Sequence, residues 1–260
     1  MNDLRTRLQG LWLPLVTPFR DGVLDERSLR RLLRHYTSRP IDGLILGATS
    51  GEGLTLSLFE LERLVELVND ELANTRSSLA VCLGLAGAST AMMQDILDET
   101  AAWPIDGYLI SSPYYLRPSQ RGLLRHFTDL ADHASWPIVL YNIPYRTSVN
   151  LANDTLLRLA EHPNIVGMKD CCADRAQSLD LLRRRRHPAL GSCRDRSFCR
   201  DRSRNEGRQS RHRAARLAKR LRADPVAVCR TEPRAGKVLA GTHRLDRLRR
   251  SPFADGRGRP

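Results

Sequence analysis

Through the first 182 residues, short apolar runs alternate with longer stretches in which apolar residues recur every three or four positions. Runs of the first kind fit buried strands and stretches of the second kind fit amphipathic helices. Leu11 to Phe19 is apolar and rich in strand formers, as a first buried strand would be. Asp21-Gly22 then turns the chain, and Asp25 is placed to cap a helix over Glu26–Ser38 carrying Leu29, Leu32, Leu33 and Tyr36 on one face. Gly43–Gly47 reads as a second strand, followed by the loop Ala48–Gly53 and a helix from Ser57 to Asn74. The alternation continues with strands at Leu79–Gly84, Gly107–Ser111 and Pro137–Asn142. Their helices are expected over Thr90–Ala102, Ser119–Ala134 and Asn153–Glu161. A sixth strand, Ile165–Met168, is a β-branched and apolar run bounded by Pro163-Asn164 and Asp170. It has the composition of a parallel strand covered on both faces, and it delivers Lys169 at its end.

Six strand-loop-helix units in succession imply an α/β fold with a parallel sheet, and eight would close a (β/α)8 TIM barrel. A doubly wound open sheet is the competing architecture. The barrel is preferred because no G-x-G-x-x-G follows the first strand, and because polar motifs trail several different strands, as the loops of a barrel mouth require. After Leu182 the alternation ceases, so the last two βα units are expected to be missing or aberrant. The chain thus divides into a barrel portion, 1–182, and an irregular tail, 183–260.

Charge sharpens that division. Residues 1–182 hold 17 Lys+Arg against 22 Asp+Glu, net −5, whereas 183–260 hold 25 against 7, net +18, which together make the chain's +13. The basic character is therefore a property of the tail, and whole-chain charge is no argument for a nucleic-acid partner of the barrel portion. The tail contains 23 arginines and two lysines but no isoleucine, methionine, tyrosine or tryptophan, which leaves little apolar surface to offset ordering entropy. Such a composition is expected of a GC-rich coding sequence read out of frame. Translating the source DNA in the other two frames tests this. A basic arm for nucleic acid is the rival reading, but it lacks interleaved aromatics for base stacking.

The N-terminal residues carry no apolar signal core, and no run approaches the roughly 20 apolar residues a membrane-spanning helix needs, so a cytoplasmic protein without membrane partners is expected. The six cysteines include no C-x-x-C pair and are read as reduced thiols; neither a metal nor a cofactor is expected.

Candidate chemistry centres on Lys169, the only lysine in residues 1–182, where arginine carries the other sixteen positive charges. Unlike guanidinium, an amine can lose its proton and form a Schiff base with a ketone. Three further motifs trail the second, fourth and fifth strands and would face the same mouth. Thr49-Ser50-Gly51-Glu52 offers two hydroxyls and a glycine turn suited to a small carboxylate. Tyr114-Tyr115 and Tyr141 are each equally compatible with packing. Tyr141, however, precedes Lys169 by one βα repeat, where a phenol can move protons for a carbinolamine. Arg146 suits a bidentate carboxylate.

Gly47-Ala-Thr-Ser-Gly-Glu52, Ser112-Pro-Tyr-Tyr115, Tyr141-Asn-Ile-Pro-Tyr-Arg-Thr147 and Val166-Gly-Met-Lys-Asp170 occur in this order over about residues 10–182. Together they resemble the dihydrodipicolinate synthase and N-acetylneuraminate lyase family of class I, Schiff-base aldolases. The resemblance implies a barrel in which pyruvate is held on Lys169, with Tyr141, Thr49 and Tyr115 as a proton relay and with Thr49, Ser50 and Arg146 in substrate binding. It also implies that Tyr115 reaches across a subunit interface, hence a homo-oligomer, dimer or tetramer. Arg146 fits the synthase branch, whose second substrate is the aldehyde L-aspartate 4-semialdehyde. A sialate or keto-deoxy sugar acid lyase, or an inactive truncated remnant, remains the alternative.

Overall fold

A computed structural model of the chain describes residues 4–8 and 10–185. In chain order the elements are α1 (Leu4–Arg7), β1 (Trp12–Pro14), β2 (Phe19–Arg20), β3 (Val23–Leu24), α2 (Glu26–Thr37), β4 (Gly43–Leu46), α3 (Leu58–Asn74), β5 (Ala80–Leu85) and α4 (Thr90–Glu99). They continue as β6 (Gly107–Ser111), α5 (Gln120–His133), β7 (Ile138–Asn142), α6 (Pro144–Thr147), α7 (Asn153–Leu159), β8 (Ile165–Asp170) and α8 (Arg175–Arg185).

Six strands form one parallel sheet in the order β1-β4-β5-β6-β7-β8, each strand beside its predecessor in the alternation. The period-2 pleat sends alternate side chains to opposite faces. One set, including Leu44, Leu46, Val81, Leu83, Tyr108, Ile110, Ile138 and Leu140, packs outward against the helices. The other set, Trp12, Ile45, Ala80, Cys82, Leu109, Val139 and Tyr141, with Val166 alongside, forms a second cluster. That cluster joins side chains from the first strand to the last, so the sheet curls and its inner faces converge: the described strands are a half-barrel. Helix α1 closes the lower end. Leu4 is fully buried in the inner cluster, and Leu8 lies so close over Gly167 that a Cβ there would fall 2.4 Å from its Cδ2. Arg7 anchors this end through Asp106 at 2.8 Å, whose other oxygen accepts from the Val81 N–H at 2.7 Å.

The helix starts follow the expected local chemistry. The Asp25 carboxylate accepts from the Ser28 N–H at 3.0 Å, which holds its pKa down to about 2. Ser57 forms a capping box with Glu60, and Ser119 accepts from the Gly122 N–H at 3.2 Å, so both serines stand just outside the helices they start. Helices α2 and α3 are tied by Glu71, whose buried carboxylate meets Arg34 at 2.6 Å and Arg30 at 3.3 Å; the Arg34 hydrogen bond lowers its pKa despite burial.

Several expectations are corrected. The first strand is not continuous from Leu11 to Phe19: it ends at Pro14, and Phe19–Arg20 instead pairs antiparallel with Val23–Leu24 around Asp21-Gly22, both at positive φ. Pro14 and Pro18 cannot donate to a ladder, which breaks the run. The helix expected to reach Ala102 ends at Glu99, because Thr100 turns its hydroxyl back to the Ile96 carbonyl at 2.8 Å. The sixth parallel strand extends through Lys169 to Asp170, so the lysine lies within it rather than past it. Nor is it covered on both faces: only Ile165 and Asp170 are buried, since among the described residues β8 pairs with β7 alone. Beyond it α8, unforeseen from the pattern, crosses Leu182; the Arg-rich tail from 186 to 260 lies outside the described residues. No helix among the described residues is long and apolar enough to cross a membrane.

Candidate active site

The upper ends of β4, β7 and β8 bring three of the expected residues together. Tyr141 and Lys169 are register partners on adjacent parallel strands and so project to the same, inner side. The Lys169 ammonium nitrogen lies 4.5 Å from the centroid of the Tyr141 ring. The phenol is buried, and Thr49 and Cys171 lie near enough to bear on its ionisation. Burial is the main reason its pKa is raised well above the usual phenol value; Cys171 adds to that shift and the Thr49 hydroxyl opposes it. At neutral pH the group is therefore a phenol, able to donate a proton and take one back.

Thr49 lies near Tyr141 because the loop after β4 folds back tightly. Thr49–Gly51 forms a single 3-10 turn, with the Gly51 N–H donating to the Ala48 carbonyl at 2.9 Å and the Thr17 hydroxyl donating to the Gly51 carbonyl at 2.7 Å. Gly53 is obligatory, since a Cβ there would sit 1.6 Å from the Gly47 carbonyl oxygen. The Gly51 and Gly53 N–H groups both point to Ala48 O, so they are spent within the turn and are not free for a carboxylate. Thr49 and Ser50 themselves are exposed at the rim.

Asn142 and Asp170, the next register pair, lock the strand ends from behind. Asn142 is fully buried; it donates to Asn150 at 2.9 Å and accepts from the Leu151 N–H at 3.1 Å, while Asn150 donates to Gln177 of α8 at 2.7 Å. The Asp170 carboxylate accepts from the Cys172 N–H at 3.0 Å and from the Ser178 hydroxyl at 2.5 Å. These bonds hold the turn after β8 and fix where Lys169 and Cys171 point.

Arg146 lies within the short helix α6, which the sequence pattern missed because Pro144 starts a single turn too brief for periodicity to register. It is exposed, with its guanidinium 5.6 Å from the Tyr145 ring centroid. Tyr115 is 86% exposed and held at φ +71°, and Tyr114 is on the same loop. Ser50, Arg146 and Tyr115 thus line the rim, and no described contact joins them to Lys169. Cys171, which no motif singled out, follows β8 directly and packs against the inner cluster. Among the described residues no group of three or more His, Cys, Asp or Glu side chains is arranged to hold a metal ion.

These features define the class: a partial parallel (β/α) barrel whose polar side chains gather at the C-terminal ends of its strands. Within that class the chain belongs to the dihydrodipicolinate synthetase family, whose model matches residues 7–191. It is 40% identical over 176 residues to 4-hydroxy-tetrahydrodipicolinate synthase 2 of Clostridium acetobutylicum, covering 68% of this chain and 60% of that protein. A solved monomeric dihydrodipicolinate synthase variant superposes with a TM-score of 0.66 at 31% identity, over 71% of this chain and 62% of that one. The dihydrodipicolinate synthase of Acinetobacter baumannii complexed with pyruvate gives a TM-score of 0.64 at 32% identity, over 68% and 60%. The chain therefore spans about 60% of the length of the curated relative it matches.

Proposed function

We propose that the described residues are the pyruvate-binding portion of a Schiff-base aldolase, a lyase that condenses pyruvate with L-aspartate 4-semialdehyde to give 4-hydroxy-tetrahydrodipicolinate. The observation that carries this reading is the placement of the Lys169 amine over the Tyr141 ring at the upper ends of adjacent strands, with the Thr49 turn close by. In the proposed sequence the neutral Lys169 amine adds to the ketone carbon of pyruvate. The amine proton passes to the oxygen, and the resulting carbinolamine expels water once Tyr141 protonates its hydroxyl. Loss of a methyl proton from the iminium then gives the enamine that attacks the aldehyde carbon. Tyr141 is the general acid-base, and Thr49 returns its proton toward the rim. Arg146 receives the carboxylate of the aldehyde substrate, and Ser50 with Thr49 faces that of pyruvate. Tyr115, 86% exposed here, completes the relay from a second copy of the chain in a homo-oligomer. The pyruvate complex of the Acinetobacter baumannii relative supports the choice of keto acid, and the synthase name of the Clostridium relative supports the choice of aldehyde.

The test is a pyruvate-dependent assay with aspartate semialdehyde on the full chain. Turnover is expected, and Tyr141→Phe should lower kcat by roughly 10²- to 10⁴-fold, the usual loss for a general acid-base group. Absence of turnover with every aldehyde tried would favour a second reading, a catalytically silent remnant. The observation behind that reading is that β8, the strand carrying Lys169, has one neighbour among the described residues.

A further inference from the structure

Four arginines show how this chain usually holds a cation. Arg7, Arg34, Arg63 and Arg184 each meet a carboxylate, at 2.8, 2.6, 2.9 and 2.6 Å. Lys169 is held differently: half-buried, its ammonium has neither an ion pair nor a hydrogen bond among the described residues. What it has is a ring. Its nitrogen lies 4.5 Å from the Tyr141 centroid, inside the roughly 6 Å over which an aromatic face attracts a cation. Two features fix that face. Tyr141 is 7% exposed and belongs to the inner cluster with Val139 and Ile143, and it is the register partner of Lys169, so both side chains leave adjacent strands at one level. The carboxylate next in sequence, Asp170, alternates to the opposite face, where the Cys172 N–H at 3.0 Å and the Ser178 hydroxyl at 2.5 Å occupy it.

A carboxylate beside Lys169 would accept hydrogen bonds from the ammonium and bring a full negative charge into the site. A ring face attracts the cation through its quadrupole and takes no proton from it. We infer that the ring of Tyr141 is a platform for the Lys169 nitrogen, a positioning role separate from the one proposed for its hydroxyl. The platform serves at two stages. Before reaction it holds the nitrogen at the inner face of the sheet. During reaction the amine nitrogen bonds to the ketone carbon of pyruvate, and the carbinolamine C–O bond then breaks as its protonated hydroxyl leaves as water. The positive charge comes to rest on that same nitrogen as an iminium, and the same face accommodates it. The second stage rests on the aldolase reading; the first does not.

Tyr141→Phe and Tyr141→Leu both lose the hydroxyl and only the first keeps the ring, so the difference between them isolates the platform. With the full chain, pyruvate and borohydride, the reduced adduct on the Lys169 peptide should form about 2- to 30-fold more slowly in Tyr141→Leu than in Tyr141→Phe, the range between exposed and desolvated contacts of this kind. A second readout needs no turnover. In chain isotope-labelled at lysine, the ε-methylene proton resonance of Lys169, assigned by its loss in Lys169→Arg, should lie upfield of free lysine, because the ring current shields atoms over the ring face. It should stay upfield in Tyr141→Phe and return toward the free position in Tyr141→Leu. A wild-type resonance at the free-lysine position would overturn the inference, and that measurement decides even where Tyr141→Leu fails to fold. Equal trapping rates in the two variants would overturn it as well. If the wild-type chain forms no adduct while its resonance is shifted as expected, the aldolase reading fails and the platform stands.

Discussion

Strands β5 and β8 have six residues each and lie in the same parallel sheet, yet all six of β5 are buried and only the two ends of β8 are. The difference is one of neighbours. β5 is hydrogen-bonded to β4 and β6, its outward side chains Val81, Leu83 and Leu85 are covered by helices, and Cys82 faces the inner cluster. There the Cys82 thiol is so deeply buried that its pKa is raised far beyond the usual thiol range. β8 has β7 on one side, and among the described residues nothing pairs with the other. Its outward Met168 is register partner to the buried Leu140 but is itself only half-covered. The apolar content of a strand therefore states what it would bury in a complete sheet. How much it does bury depends on strands elsewhere in the chain. For the site this matters directly, since Tyr141 stands on the last doubly paired strand and Lys169 on the singly paired one.

That comparison can be broken or sharpened by substitution. The largest effect is expected at the centre: Leu83→Ala on β5, where the side chain is fully buried, should cost about 3–5 kcal/mol in urea unfolding. A cost under about 1 kcal/mol there would mean that the central strands are no better packed than the edge. Next comes an acid sensitivity built into the packed face. His126 of α5 is buried against Phe127 and shares a 2.8 Å hydrogen bond with Thr90, and burial lowers its pKa from 6.5 to about 4. The unfolded chain binds a proton at this residue below about 6.5, whereas the folded chain resists it down to about 4, so folding is favoured above that window and loses stability as the pH falls through it. The loss should reach at most about 3 kcal/mol, and His126→Gln should flatten the stability profile between those pH values. An unchanged profile would show that the ring is already solvated. The smallest effect is expected at the edge, where Met168→Ala should cost only about 1 kcal/mol, because little of its surface is removed from water. A cost equal to that of Leu83→Ala would mean that β8 is as enclosed as β5.

The same contrast explains what was legible in the sequence. The cap at Asp25 depends on a side chain and an N–H three residues away, so it can be read from the sequence in isolation, whereas Ser57 and Ser119, expected as first helical residues, proved to be caps standing one residue before their helices. The strand order follows from the alternation itself, and the loops bearing Thr49, Tyr141 and Lys169 converge because every parallel strand ends on the same side. What could not be read depends on distant partners or on very short elements. The exposure of β8 is set by its neighbours in the sheet, of which the described residues supply one. Cys171 belongs to no motif, and its packing against the inner cluster is set by the curl of the sheet. The single turn Pro144–Thr147, which carries Arg146, and the hairpin that interrupts the first apolar run are each shorter than the window over which periodicity can be measured.

The central claim is that the amine on this half-covered strand is a nucleophile toward pyruvate. Borohydride reduction of the full chain in the presence of pyruvate, followed by peptide mass spectrometry, tests it most directly. The account predicts a stable reduced pyruvyl adduct on the peptide containing Lys169 and its complete loss in Lys169→Ala. An adduct that survives Lys169→Ala would require another amine, such as Lys219 or Lys237, and would contradict the account.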